Sequence, residues 1–334
     1  MILGGGGALE SADQGATWHN WAGFNTWPQP QATGQGYMDV VRRGNELLAF
    51  TTYSFYGGIC LWRSSDEGRT WTGGDRITHN AGLWQPAMTN EKVVQSETGR
   101  LVVPFELPLG SNTPPANPDN VGTLYSDDGG QSWAQSPLFG PPNGYPAAPE
   151  GFSEPSVAEL ANGKQWMVIR ALGGTLWQSF STDGGVSWGP PSSTGLVSPL
   201  SSVCAKRIPG SDAVIAIWDN ATPAAGGSSF GSYWGPRSPM VFAISRDNCE
   251  TWSQPVTIAS GAAAYPSAYF SEGKMFLSYW ENTDPNGNIW AADSHLKFVA
   301  YDVQSLLEVP EPNMLVLVLA GAIGLFFYSG RKGR

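Results

Sequence analysis

The sequence predicts an all-β fold built from a repeated four-strand unit, and three observations predict it. The first is an octet written five times: SADQGATW, SSDEGRTW, SDDGGQSW, STDGGVSW and SRDNCETW, beginning at Ser11, Ser64, Ser126, Ser181 and Ser245. The second is its spacing of 53, 62, 55 and 64 residues, the size of one supersecondary unit in a repeat architecture. The third is composition. With 42 Gly, 26 Pro and 15 Trp but only 14% charged residues, the chain suits short strands joined by many turns. These observations predict a six-bladed β-propeller whose first blade is incomplete, followed by a hydrophobic helix at the C-terminus.

Each octet has a local physical logic. Its Asp accepts hydrogen bonds from backbone amides of a tight turn, its Gly supplies φ > 0, and its Trp anchors the turn on the fold. Between octets, strand-like runs recur at 46–53, 92–105, 165–171, 213–218 and 274–280, several after a turn such as ETG, ANG or SEG. Each unit therefore reads as strand, turn, strand, strand, octet, strand, which is one propeller blade. The segment before residue 36 holds a third strand, an octet and the strand after it. Four complete blades fit between residue 36 and about residue 258, and a unit without an octet runs from about 262 to 307. The fifth octet departs from pattern, with Cys249 where Gly is expected; Asn248 is expected to take the left-handed position instead.

Residues 1–308 thus form the propeller, and 309–334 are a different object. Val309-Pro310-Glu311-Pro312 precedes the apolar run 314–328, and Arg331, Lys332 and Arg334 close the chain. A transmembrane helix is expected over about 314–330, with its basic flank on the cytoplasmic side. The opening MILGGGGALE has neither the basic nor the apolar region of a signal peptide, so the chain is expected to start inside its natural reading frame.

A formal charge of −10 with no basic stripe argues against nucleic acid as a partner. The cysteines Cys60, Cys204 and Cys249 are odd in number and widely spaced, and His19, His79 and His295 lack metal-ligand spacing. Neither a metal site nor a cofactor is expected.

The octet is the Asp box, and the chain resembles bacterial exo-sialidases of the BNR type over nearly all of residues 8–308. GFSEPSVAELANGKQWMVIR (151–170) is similar to the family segment carrying the catalytic Glu and second arginine. GPRSPMVFAIS (235–245) is similar to the strand carrying the third arginine, and AYPSAYF (264–270) to the segment carrying the Tyr. The resemblance implies Tyr265 as nucleophile, Glu154 as its base, and Arg170 and Arg237 as clamps on the substrate carboxylate. A phenol suits a centre that already bears a carboxylate, because a carboxylate nucleophile would add repulsion; such sialidases are exceptions to the two-carboxylate glycosidase scheme. Asp39, in GYMDVV, falls where the family places an acidic residue near the glycan's amide substituent. The first arginine and the acid/base Asp of the family would precede residue 1, so little turnover is expected of this chain. Lys206-Arg207-Ile208-Pro209 spells the family's Arg-Ile-Pro but lies in the expected fifth blade and reads as a lookalike, and Arg42 and Arg43 read as a solvated strand end.

The tail resembles the PEP-CTERM sorting signal. That implies export to the envelope of a Gram-negative-type bacterium, membrane anchoring, and an exosortase as processing partner. The implied function is an exo-α-sialidase-like hydrolase acting on sialylated or other acidic glycans. The alternative is a non-catalytic surface propeller that binds glycan or protein, since Asp boxes serve fold rather than chemistry.

Overall fold

The computed structural model describes residues 2–4, 7–20, 38–52, 58–77, 92–107, 120–142, 151–222, 237–282, 289 and 293–310. Four sheets have four antiparallel strands each. They are β4 (Met38–Arg43), β5 (Glu46–Thr52), β6 (Ile59–Ser64) and β7 (Thr72–Arg76); β8 (Val94–Gln95), β9 (Leu101–Leu107), β10 (Asn120–Ser126) and β11 (Ala134–Gln135); β12 (Phe152–Glu159), β13 (Gln165–Ala171), β14 (Thr175–Ser181) and β15 (Ser192–Val197); and β16 (Cys204–Arg207), β17 (Val214–Asp219), β18 (Met240–Ser245) and β19 (Val256–Ala259). A fifth sheet holds β20 (Ala262–Ser271), β21 (Lys274–Asn282) and β22 (His295–Asp302), and a short helix, α1 (Val303–Leu307), follows it.

Strands follow one another in sheet order, so each sheet is a meander with its first strand at one edge. Those first strands meet: β12 lies beside β8 and β16, and β16 beside β20. They line the axis while the second and third strands supply the packed faces between sheets. One core joins Leu48, Phe50 and Ile59 to Leu101, Val103 and Phe105, and a second joins Val102 and Val121 to Phe152 and Met167. A third joins Trp166 and Val168 to Ala216 and Trp218, and a fourth joins Ile215, Ile217 and Phe242 to Met275 and Leu277. The second strands β13 and β17 are buried along their whole length, which is why their sequences read as near-continuous apolar runs rather than an alternation.

Two sequence expectations are corrected here. Six blades become five. The N-terminal segment forms only β1 (Ile2–Gly4), β2 (Gly7–Glu10) and β3 (His19–Asn20), strands of three, four and two residues paired with one another. Its Asp box packs on the outside of the fifth blade, where Trp18 meets Phe298 edge to face at 4.7 Å. The expected C-terminal membrane helix, and the membrane-anchored location that rested on it, are corrected as well. Among the described residues no helix is long and apolar enough to cross a membrane. The segment 314–330, and the sorting motif apart from Val309 and Pro310, lie outside the described residues.

The five boxes share one hydrogen-bond pattern. In the second, Ser64 Oγ accepts the Gly68 N–H at 2.8 Å and donates to Asp66 Oδ1 at 2.8 Å. Asp66 then accepts the Thr70 N–H at 2.8 Å and the Thr70 hydroxyl at 2.6 Å. In the fifth box both Asn248 (φ 60°) and Cys249 (φ 69°) are left-handed, so Asn248 does not relieve Cys249 as expected. The Cys249 N–H still reaches Ser245 Oγ at 2.9 Å, and that bond holds the strained turn. Boxes also clasp the preceding blade. Arg100 Nη1 donates to the Asp183 and Gly184 carbonyls at 2.8 and 3.2 Å. A side chain at Gly184 would meet that guanidinium at 2.8 Å, with φ +71° as a second reason for glycine.

Hydrogen bonds to the ionised carboxylate hold Asp13 and Asp66 down at about 2, the Thr17 and Thr70 hydroxyls contributing most. Because the folded pKa lies below the unfolded one, this stabilisation is present above about pH 4 and lost as pH falls through about 2. Carboxyl carbon NMR is expected to show these two aspartates titrating well below the ordinary aspartate value of about 4. Ordinary midpoints near 4 would show that the turns do not hold the carboxylate in solution.

Candidate active site at the channel mouth

Two of the first strands are interrupted in the same way. The β12–β13 register shifts between Ser153 and Ser156, and the β20–β21 register between Ala264 and Ser267. Each interruption is a residue with positive φ followed by proline: Glu154 (φ 43°) before Pro155, and Tyr265 (φ 57°) before Pro266. Such a bulge lifts one residue out of the ladder and re-aims its side chain, at a cost in backbone strain. Side chains of the neighbouring blade take up the amide groups freed at Glu154. Its N–H donates to Glu106 Oε2 at 2.8 Å, and its carbonyl accepts from Lys92 Nζ at 2.6 Å.

The bulges bring four of the sequence-predicted residues together. Arg170, at the end of β13 opposite Ser153, places Nη1 2.8 Å from Glu154 Oε1, and both side chains are about 5% exposed. Arg237, just before β18, is 7% exposed and its guanidinium carbon lies 5.4 Å from the centre of the Tyr265 ring. Its carbonyl accepts the Ala263 N–H at 2.8 Å, which ties this arginine to the strand of Tyr265. The buried polar atoms of the cluster without a hydrogen bond include Glu154 Oε2 and Arg237 Nη1.

Asp39 stands apart from these four. It is buried at the start of β4, and its carboxylate accepts the Val93 N–H in a short bond. Burial pushes its pKa up, opposed by Lys206 and by amides of Lys92 and Val93. Lys206 and Arg207 line a cavity of about 720 Å³ with Gln95, Glu97 and Glu159, at the end of β12 remote from Glu154. The Arg-Ile-Pro of residues 207–209 is therefore outside the cluster, and Arg207 pairs with Glu97 at 2.6 Å.

Electrostatics organise the cluster around positive charge. Burial pushes the Glu154 pKa up, but Arg170, Lys92 and Arg237 together bring it below its ordinary value. Burial pushes Lys92 down to about 8, against the pull of Glu154. Tyr265 is raised, by burial first and by Glu154 second, with Arg237 and Arg170 opposing. Sequence reasoning missed Lys92, Glu106 and also Asp219, a fully buried carboxyl at the end of β17 near Arg237. One signal was available: the triplet x-Pro-Ser at 154–156 and 265–267 marks both bulges. Among the described residues no group of His, Cys, Asp and Glu could hold a metal ion.

The fold is a five-bladed repeat propeller with a buried, cation-rich cluster on strands of its third to fifth blades. A family model described as "BNR repeat-like domain" matches residues 37–277, more than half of the chain, and the chain belongs to that family. Solved structures agree on the fold. The Hadza microbial sialidase Hz136 is 17% identical with a TM-score of 0.65, over 89% of this chain and 59% of that one. A mutant Trypanosoma rangeli sialidase displaying trans-sialidase activity is 17% identical with a TM-score of 0.58, over 87% and 48%. A Dyadobacter fermentans protein of unknown function is 16% identical with a TM-score of 0.63, over 88% and 82%. The chain thus spans about half to three fifths of the two sialidases' own length. The search of curated proteins gave no match.

Proposed function

We propose that the channel mouth is the site of a sialidase-type glycoside hydrolase acting on a sugar that carries a carboxylate. The observation that supports this reading most is the convergence of Glu154, Arg170, Arg237 and Tyr265 in one buried cluster, from the third, fourth and fifth blades. Arg237 Nη1, buried and without a hydrogen bond, is a donor awaiting an acceptor. A planar carboxylate fits a guanidinium better than any neutral group does. A Trypanosoma rangeli sialidase of similar fold, 16% identical with a TM-score of 0.57, has been seen with 2,3-difluorosialic acid as a covalent intermediate.

The resting electrostatics assign a sequence to the chemistry. Glu154 is a weak base while Arg170 holds it at 2.8 Å, and Tyr265 is a reluctant acid while burial and Glu154 raise its pKa. A substrate carboxylate arriving at Arg170 and Arg237 shares their charge and loosens the Glu154–Arg170 pair. Glu154 then becomes basic enough to take the phenolic proton, and the phenolate oxygen bonds to the anomeric carbon as the leaving oxygen departs with the bonding pair and takes its proton from solvent. Water subsequently displaces the tyrosyl oxygen, yielding its own proton to solvent while Glu154 returns the phenolic proton to Tyr265, so two displacements retain configuration. The test is release of 4-methylumbelliferone from its α-glycoside of N-acetylneuraminic acid.

A second reading is a glycan-binding propeller without turnover. The observation favouring it is that Glu154 is already neutralised by Arg170 and Lys92, as a structural carboxylate would be. Binding of free N-acetylneuraminic acid with no hydrolysis of the fluorogenic glycoside identifies that reading; hydrolysis rejects it.

A further inference from the structure

Beyond the four residues above, one carboxyl of the mouth has no task in that scheme. Asp219 ends β17, is fully buried, and has both carboxyl oxygens without a hydrogen bond of normal geometry. A buried carboxylate in that condition is costly unless a positive charge or a proton compensates it. Among the described residues, two groups act on it. Ser201, from the chain before β16, lies near enough to draw its pKa down slightly, and Arg237, from the chain before β18, is the charged neighbour. Backbone pairing fixes this juxtaposition: Asp219 stands opposite Met240, and the Asn220 N–H donates to the Pro239 carbonyl at 2.9 Å. Arg237 and Asp219 are therefore neighbours, yet Arg237 Nη1 donates to nothing and neither carboxyl oxygen of Asp219 takes a hydrogen bond from Arg237.

We propose that Asp219 is the proton-linked positioning partner of Arg237: neutral, it leaves the guanidinium to the ligand carboxylate, and ionised, it competes for that guanidinium. The proposal rests on reading the mouth as a carboxylate site. The sign follows from Coulomb's law. A bound anion beside Arg237 repels an ionised Asp219 and removes part of the arginine's compensation, so binding raises the Asp219 pKa and takes up a proton. Burial has already pushed that carboxyl up to about 7, against Arg237 and Ser201, so the uptake falls in the neutral range. The other titratable groups of the mouth are Glu106, Glu154, Tyr265 and Lys92. Glu154 titrates below its ordinary value and Tyr265 above its own, outside this window, whereas Lys92, at about 8, adds its own loss of anion affinity only at the alkaline edge.

The experiment is calorimetric binding of N-acetylneuraminic acid to the full chain at pH 6, 7 and 7.5, each in buffers of different ionisation enthalpy. Wild type is expected to take up about half a proton per ligand at pH 7 and to bind about fourfold more weakly at pH 7.5 than at pH 6. Asp219→Asn is expected to take up almost none and to bind equally at both pH values. Proton uptake unchanged in Asp219→Asn overturns the proposal while the carboxylate-site reading stands. Absence of binding at every pH overturns that reading and the proposal with it. If Asp219→Asn does not fold, carboxyl carbon NMR of wild type decides: an Asp219 midpoint that rises on ligand addition supports the proposal, and one that stays fixed overturns it.

Discussion

Tyr265→Phe is expected to lower hydrolysis of the fluorogenic sialoside by about 10³-fold or more while changing the Kd of free N-acetylneuraminic acid by less than about twofold. The substitution removes one hydroxyl and little else. Phe keeps the ring that lies 5.4 Å from the Arg237 guanidinium carbon, so the cation–π contact survives. Neither side chain is β-branched, so the left-handed backbone at 265 (φ 57°) is no harder to hold for Phe than for Tyr. The proposed carboxylate clamp, Arg170 and Arg237, is left in place by the variant. Loss confined to kcat therefore identifies the phenolic oxygen as the reacting atom. A rise in KM with kcat unchanged would assign Tyr265 to substrate positioning, and no change in either would reduce it to packing.

What could be read from the sequence, and what could not, divides along the range of the interactions. An Asp box closes within eight residues, the side chains of its Ser and Asp bonding groups no more than four residues away, as Ser64 to Gly68 and Asp66 to Thr70 show. Such a unit is legible wherever it occurs, and that legibility produced the miscount of blades. A box needs no complete blade behind it, and the first box closes on strands of four and two residues. Glu154, Arg170, Arg237 and Tyr265 were legible because they lie in segments with a recognisable pattern. Lys92 and Glu106 were not. In the run EKVVQ, Lys92 reads as the polar edge of a strand, yet it is 2% exposed and supports a carbonyl 62 residues away. Asp219 looks like an ordinary strand-end aspartate, and only the return of the chain at Arg237 gives it a charged neighbour. Long-range polar pairs leave no local periodicity, so they appear only once the sheets are assembled.

The Glu154–Arg170 pair carries the largest expected effect on stability. Glu154→Gln keeps the volume of the side chain and its capacity to accept a hydrogen bond, and it leaves Arg170 buried with an amide for a partner. Lys92 and Arg237 lose the same compensating charge. Removing one partner of a buried ion pair typically costs about 3–5 kcal/mol, and here both side chains are about 5% exposed, so solvent screens little of it. Urea denaturation at pH 7 is expected to show a loss in that range with an unchanged m value. The pH dependence supplies an independent check. Glu154 has a folded pKa below its unfolded one, so its contribution is present above the unfolded value and disappears as pH falls through the folded one. The wild-type advantage over Glu154→Gln should accordingly shrink on acidification through that window and be constant above it. Glu154→Gln combined with Arg170→Met removes both charges, and it is expected to be more stable than Glu154→Gln alone, because an apolar side chain is easier to bury there than an unpaired guanidinium. A double variant as unstable as the sum of the two single ones would show that the residues act separately. The strain at φ 43° would then be held by Glu106 and Lys92 alone, and the ion pair would be a consequence of the bulge rather than its support.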